Sequence, residues 1–199
     1  MAQQGNKRRS VKKKKRSTAP ARRSLPSCPR VAMIFMTPWG WMGISETKRG
    51  IDAIVLPKPS RAAVESILRS SDDKPIDSRT SERLQAARIQ VTEYLRRTRQ
   101  GFDLPLDLSQ GTPFQRQVWR TLQRVPYGKL RSYQWIAARV GGRPYARAVG
   151  NAVGANPVPI MIPCHRIVAH DGGLGGFSGG LSVKRKLLTL EGTLSQLRS

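Results

Sequence analysis

The residues best suited to covalent chemistry lie in the segment Asn156-Pro-Val-Pro-Ile-Met-Ile-Pro-Cys-His-Arg-Ile-Val168. A thiolate is a soft, strong nucleophile, and cations beside a thiol favour that form. His165 and Arg166 directly follow Cys164, and both can act in this way. Residues 160–162 read as a buried strand run that Pro163 breaks, presenting Cys164 where the strand ends. A cysteine in apolar surroundings is also an ordinary small core residue. From this segment alone, the inert and the reactive readings both stand. Metal chemistry is a poorer match, since His165 and His170 are the only histidines and Cys28 is the only other cysteine. Two cysteines do not make a disulfide framework, and free thiols suit a reducing setting.

The elements that must position Cys164 can be read from periodicity and caps. Strands are expected over 31–36, 41–45 and 51–56, with a turn at 37–40. Ser60 can cap a helix whose apolar face includes Val64, Ile67 and Leu68. Polar residues 70–80 read as a loop. Leu84, Ala87, Val91 and Leu95 then recur at helical spacing, in a helix allowed to run to Gly101. After a connector over 102–111, Thr112-Pro-Phe-Gln115 is a capping box with Pro at the first helical position, and Phe114, Val118 and Leu122 share one face. Ser132 opens a second helix with Ile136, Ala137 and Val140 inward, stopped by Gly141-Gly142. Pro144 opens a third, through Arg147, Val149 and Val153 to about Gly154. Three short helices with a glycine turn before the last suit a helix-turn-helix. A final helix is expected over 181–191, with Gly192 just past its end.

The fold class expected is therefore α+β. A small N-terminal α/β lobe with a short antiparallel sheet (31–101) precedes a mostly helical C-terminal domain (102–199) with a winged-helix-like, helix-turn-helix DNA-binding unit. Residues 1–30 read as a disordered basic tail. The whole chain carries 36 Lys+Arg against 12 Asp+Glu, a formal charge of +24. Its first thirty residues hold eleven cations and no acid, which leaves +13 on the body. A body that stays basic without its tail points to an acidic polymer, nucleic acid first. No run approaches the roughly 18 apolar residues of a membrane span, and the basic start lacks the apolar stretch of a secretory signal.

Pro163-Cys-His-Arg166, flanked by Asn156-Pro157 and Ile167-Val168, resembles the active-site motif of the O6-alkylguanine-DNA alkyltransferases, the methylated-DNA–protein-cysteine methyltransferases. Phe114-Gln-Arg-Gln-Val-Trp119, Ser132-Tyr133-Gln134, Arg147-Ala-Val-Gly150, Ser178-Gly-Gly-Leu181 and Leu187-Leu188 with Glu191-Gly192 follow in that family's order and spacing. The likeness is close over 102–192, looser over 31–101, and does not include 1–30.

The resemblance implies direct reversal of DNA damage. Cys164 would take the methyl or other alkyl group irreversibly from O6-methylguanine in double-stranded DNA, with O4-methylthymine as a second substrate. His165 would be the general base and Glu191 would orient it. Adjacent residues of extended chain point apart, so Cys164 and His165 would communicate through one water unless the backbone turns between them. Asn156 would hold the active-site turn, and Tyr133 would hydrogen-bond the base and donate a proton to its N3. Ser178 would donate to O6, in a loop whose Gly175, Gly176, Gly179 and Gly180 let it approach a flipped base, with Phe177, Ile167 and Ser132 nearby. A stacked base cannot be attacked in line, so it must be extruded. Arg147 would enter the stack in its place, while small Ala148 and Gly150 let the third helix lie in the minor groove. Lys184, with Arg116, Arg120 and Arg131, is a candidate phosphate contact.

Phe177 stands where many members carry Tyr, which removes a hydroxyl from the pocket wall, and Tyr145 stands where smaller residues are common. No cofactor or metal is implied, and a monomer is expected. The setting would be intracellular: cytoplasmic in a prokaryote, nuclear in a eukaryote. Two other classes compete. A non-catalytic alkylated-DNA sensor or helix-turn-helix regulator would leave Cys164, His165 and Glu191 idle. A Cys-His hydrolase would leave Arg147 and Tyr133 without a task.

Overall fold

Strands β1 (Val31–Thr37), β2 (Gly40–Thr47) and β3 (Gly50–Lys58) form an antiparallel sheet in that order, joined by two tight turns. In this computed structural model the described residues are 31–70 and 81–197. The basic tail, the last two residues and all but the first position of the expected 70–80 loop lie outside them. Side-chain alternation divides the sheet between two partners. Ala32 and Val55 pack against Val64 and Leu68 of α1 (Arg61–Ser70), while Phe35, Met42, Ile44 and Leu56 join the main core. Gly43 lets α1 pack this closely: a Cβ there would meet the Val64 and Leu68 side chains at 2.7 and 2.9 Å and push them aside. The expected inward Ile67 is exposed.

A bulge in the β2–β3 ladder makes Asp52 an extra residue between Ile51 and Ala53. Its fully buried carboxylate accepts from Ser45 Oγ (2.6 Å) and Gln110 Nε2 (2.9 Å), which ties the sheet to the connector over 102–111. Helix α2 (Glu82–Leu95) is capped by Ser81, whose Oγ accepts from Leu84 N–H at 3.0 Å. It buries Leu84, Ala87, Val91 and Leu95 as its spacing predicts, and Tyr94 as well. The helix stops well before Gly101, because Arg97 takes a left-handed conformation (φ 65°).

Helix α3 (Pro113–Leu122) begins with the expected capping box. Thr112 Oγ1 accepts from Gln115 N–H (3.2 Å) and Gln115 Oε1 accepts from Thr112 N–H (2.8 Å). Ser132 caps α4 (Tyr133–Val140) by accepting from Trp135 N–H at 3.2 Å. A 3₁₀ turn at Arg143–Tyr145 carries the chain into α5 (Ala146–Gly154), so Pro144 lies in this turn rather than in the helix. The three helices pack on one another, and Trp119 Nε1 fixes α3 to α5 by donating to Ala152 O (2.8 Å). Helix α6 (Leu181–Leu190) buries Leu187, Leu188 and Leu190. One contiguous core runs from the sheet and α2 through all four C-terminal helices. Among the described residues no helix is long and apolar enough to cross a membrane.

One expected strand is absent. Residues 160–162 are buried but turn tightly: Ile162 N–H donates back to Val158 O (2.9 Å), and Ile160 has φ 77°. An apolar run between prolines gives the same sequence signal for a buried turn as for a strand. The turn matters, because it supplies a carbonyl that anchors the site.

Candidate active site

One short strand pairing and one tight turn bring the chemistry together. β4 (Arg131–Ser132) runs parallel to β5 (Ile167–Val168), setting the start of α4, and hence Tyr133, beside the segment that follows Cys164. Residues Cys164–Arg166 form a 3₁₀ turn, so the alternation expected of extended chain does not hold there. Asn156, at the end of α5, fixes this turn from inside. Its Nδ2 donates to Ile162 O (2.9 Å) and lies 3.0 Å from Cys164 Sγ, while its Oδ1 accepts from Val158 N–H (3.1 Å).

Cys164 is 2% exposed. Burial pushes its thiol up to about 11, against the opposing pull of the Asn156 contact and the Lys184 charge. The expectation that Arg166 would favour the thiolate is corrected by geometry. Arg166 turns to Glu191, donating from Nε to both carboxylate oxygens (3.1 and 3.0 Å) and from Nη2 to Oε1 (2.9 Å), while Nη1 donates to Val125 O (2.6 Å).

His165 is fully buried, and its Nε2 lies 2.9 Å from Glu191 Oε1. Glu191, the residue closing α6, also accepts from Gly128 N–H (3.2 Å) and from the Tyr94 hydroxyl (2.5 Å). Burial alone would raise the Glu191 carboxyl. The hydrogen bonds from His165 and Arg166, and the Arg166 charge, outweigh it and bring the group to about 2. With Glu191 ionised and able only to accept, Nε2 must carry the imidazole proton. Burial lowers the His165 pKa and so keeps the ring neutral. Nδ1 is left as the basic nitrogen, and among the described residues it is the one buried side-chain nitrogen or oxygen without a hydrogen-bond partner. A neutral thiol and, on the next residue, a neutral imidazole whose Nε2 side is held by a carboxylate are the groups that proton transfer followed by nucleophilic attack requires.

Lys184 is not a phosphate contact. Its side chain is fully buried and its ammonium donates to Ile167 O (2.5 Å), Leu174 O (2.6 Å) and Gly176 O (3.2 Å). Burial lowers its pKa to about 8. A cation on an otherwise amphipathic helix reads as a surface charge, and only the tertiary fold shows three inward carbonyls waiting for it. The clamp shapes the 174–178 loop, and Gly176 O also accepts from the Tyr133 hydroxyl (3.3 Å). Burial raises the Tyr133 pKa, so this phenol keeps its proton. Phe177 is half-buried and Ser178 exposed, while Ile167 is fully buried in β5. Gly179 faces Leu56 of β3 so closely that a Cβ would collide with it. This close approach seats the loop against the N-terminal lobe.

Arg147 and Ala148 lie exposed on α5, Gly150 is partly exposed, and Val149, Ala152 and Val153 face inward. Of the remaining candidate phosphate contacts, Arg120 is exposed. Arg116 spends Nη1 on Gly111 O (2.6 Å), and Arg131 lies over the Trp135 ring at 5.4 Å. Sequence reading passed over Tyr94 and the true task of Arg166. The one available signal was a phenol in register with the inward face of α2.

The sequence model of the family described as "6-O-methylguanine DNA methyltransferase, DNA binding domain" matches residues 113–193. A methylated-DNA–protein-cysteine methyltransferase of Mycolicibacterium paratuberculosis is 53% identical over 45% of this chain and 54% of its own length, so this match spans about half of that relative. The constitutive methylated-DNA–protein-cysteine methyltransferase of Bacillus subtilis is 36% identical over 78% of this chain and 91% of its own. Among solved structures, Mycobacterium tuberculosis OGT in complex with DNA superposes with a TM-score of 0.67 at 33% identity, covering 82% of this chain and 93% of that one. The last two likenesses cover more of the chain than the helical half alone, and the cysteine, histidine and glutamate are all buried, the last two in contact. On these grounds the chain belongs to the methylated-DNA–protein-cysteine methyltransferase family.

Proposed function

We propose that this protein repairs duplex DNA by moving the alkyl group of O6-alkylguanine, methyl first, onto Cys164. The observation that carries this reading is the buried Cys164 thiol, held by Asn156 next to a neutral His165 that Glu191 orients. The thiol proton would pass through one intervening water to His165 Nδ1, which has no partner in the protein, as sulfur attacks the alkyl carbon. The S–C bond forms, the C–O6 bond breaks, and its electron pair stays with the guanine. Tyr133, held protonated, donates to the base as the purine charge develops. The product is a thioether, a poor leaving group, so each molecule acts once.

A thiol this deeply buried cannot reach a base within the stack, so the nucleotide must swing out. Arg147 on the exposed face of α5 would fill the gap, with Ala148 and Gly150 allowing the helix to lie in the minor groove. Ser178 and Phe177 would line the base from the loop, with Ser132 and Ile167 supporting the opposite wall. O4-methylthymine would be a second substrate. The protein would act as a monomer inside the cell, without a cofactor.

The test is incubation with duplex DNA carrying labelled O6-methylguanine, followed by peptide mass mapping. Stoichiometric label on Cys164, absent in Cys164→Ala, is expected. DNA binding without transferred label would overturn transfer in favour of a damage sensor, and turnover of an ester or peptide would favour a hydrolase.

A further inference from the structure

Tyr94 belongs to α2, outside the segment 113–193 that matches the family's DNA-binding domain, yet its hydroxyl touches both members of the buried His165–Glu191 pair. It donates to Glu191 Oε1 at 2.5 Å and lies 3.2 Å from His165 Nε2. The side chain is fully buried, its ring tilted on Phe102 (5.4 Å) and edge-on to Tyr127 (6.1 Å). A phenol needs none of this polarity for packing. Phenylalanine would fill the same space without bringing a buried hydroxyl that must find a partner.

We propose that the Tyr94 hydroxyl is a positioning group for alkyl transfer, holding His165 as the neutral Nε2–H tautomer so that Nδ1 can take the Cys164 proton. The proposal rests on the transfer reading above. Glu191 is ionised and can only accept, and the Tyr94 phenol keeps its proton because burial and the Glu191 charge oppose its loss. The phenol therefore donates to Oε1, and its oxygen turns a lone pair toward Nε2. Both neighbours of Nε2 are then acceptors, which places the ring proton there and leaves Nδ1 bare.

The hydroxyl has a second effect. A buried carboxylate beside an imidazole draws an additional proton onto the ring, and a doubly protonated His165 could not serve as base. Tyr94 and Arg166 both donate to Glu191 and reduce that pull. The charged and titratable groups facing His165 are Glu191 and Lys184 from α6, Arg166 and Cys164 from the 3₁₀ turn, and Tyr94 from α2. Of these only Glu191 favours protonation, and Tyr94 is the neutral group that moderates it. The N-terminal lobe thus completes the relay rather than merely covering it.

The chain has two histidines, so long-range ¹H–¹⁵N spectra of the full-length protein can follow His165 beside the exposed His170 without substrate. The wild type is expected to show a neutral Nε2–H imidazole at pH 7. Tyr94→Phe, which keeps the ring packing, should raise the His165 titration by about one pH unit. The acid limb of the transfer rate should move upward with it, making transfer about tenfold slower on that limb. Affinity for duplex DNA should not change. Phe102→Leu loosens the same ring cluster and should lower stability without moving the titration.

A protonated or Nδ1–H His165 in the wild type at pH 7 overturns the proposal even if Tyr94→Phe does not fold. So does a titration that Tyr94→Phe leaves in place, or one that Phe102→Leu shifts equally. The spectra need no reaction, so a wild type with the expected tautomer but no methyl uptake would overturn the transfer reading instead.

Discussion

Replacing Lys184 with methionine removes a buried ammonium while keeping most of the side-chain volume, and the structure sets the size of the effect. Three hydrogen bonds to Ile167 O, Leu174 O and Gly176 O are lost. Bonds to a charged donor are worth about 1.5–3 kcal/mol each, so the gross loss is about 5–9 kcal/mol. Against this stands the cost of burying the charge. The pKa falls from 10.5 to about 8, which corresponds to about 3 kcal/mol recovered when the charge is removed. The net destabilisation expected for Lys184→Met is about 2–6 kcal/mol, read as a lower urea midpoint with unchanged slope. The 174–178 loop is also released from Tyr133 and the site, so single-turnover transfer to Cys164 should fall about tenfold to a hundredfold. Affinity for undamaged duplex DNA, measured by anisotropy across a salt series, should stay within about twofold, with the same slope. A phosphate contact would do the opposite, weakening binding at all sequences and reducing the salt slope by about one. Unchanged stability and transfer with that binding signature would refute the carbonyl clamp and return Lys184 to the DNA surface.

Two further outcomes follow from the site. The Glu191 carboxyl is lowered from 4.5 to about 2 in the folded protein, so its stabilising contribution is complete above pH 4.5 and is lost as pH falls through 2. Urea unfolding of wild type at a series of acid pH values should show about 3 kcal/mol lost over that window on this account. Glu191→Gln should lack this component, and an identical acid dependence in the two proteins would show that the carboxylate is not held as described. Arg147→Ala should slow repair of duplex DNA far more than reaction with free O6-alkylguanine base, since the proposed finger would act on the stack and not on sulfur. Equal losses on both substrates would remove that role.

Local chemistry made much of this molecule legible from its residues. The Thr112 capping box, the Ser132 cap and the apolar spacings of α2 to α6 are short-range signals, and the helices form near where these place them, although α2 ends short of Gly101 and α5 starts after Pro144. Cys164, His165, Glu191 and Asn156 could be singled out by motif, and the fold gathers them. What escaped was set by partners far away in the chain. Arg166 adjoins Cys164 in sequence, yet its guanidinium is claimed by Glu191 and Val125 O. Lys184 reads as a solvated cation until three loop carbonyls converge on it. Tyr94 reads as one more inward residue of α2 until its hydroxyl meets a carboxylate 97 positions later. The 160–162 turn was mistaken for a strand because burial erases the alternation that separates the two.

These reassigned cations also change what the charge of the chain means. Arg166 and Lys184 add to the positive count, but neither is available to DNA, and the pull of the Lys184 charge does not overcome the effect of burial on the thiol. Burial pushes the Cys164 pKa up, so the group is held mainly as the protonated thiol at pH 7. Reactivity therefore cannot come from a standing thiolate of the kind that neighbouring cations produce. It must come from proton transfer to His165 at the moment an alkyl carbon is in line. If the acceptor is used once, as proposed above, this is a physical advantage: a protonated, almost inaccessible thiol is protected from stray electrophiles and oxidants. The same burial that withholds the sulfur keeps His165 neutral and ready, so one dry site sets both halves of the exchange. A thiol titrating well below its ordinary range in the free protein would break this argument, and the pH dependence of Cys164 alkylation by iodoacetamide measures it directly.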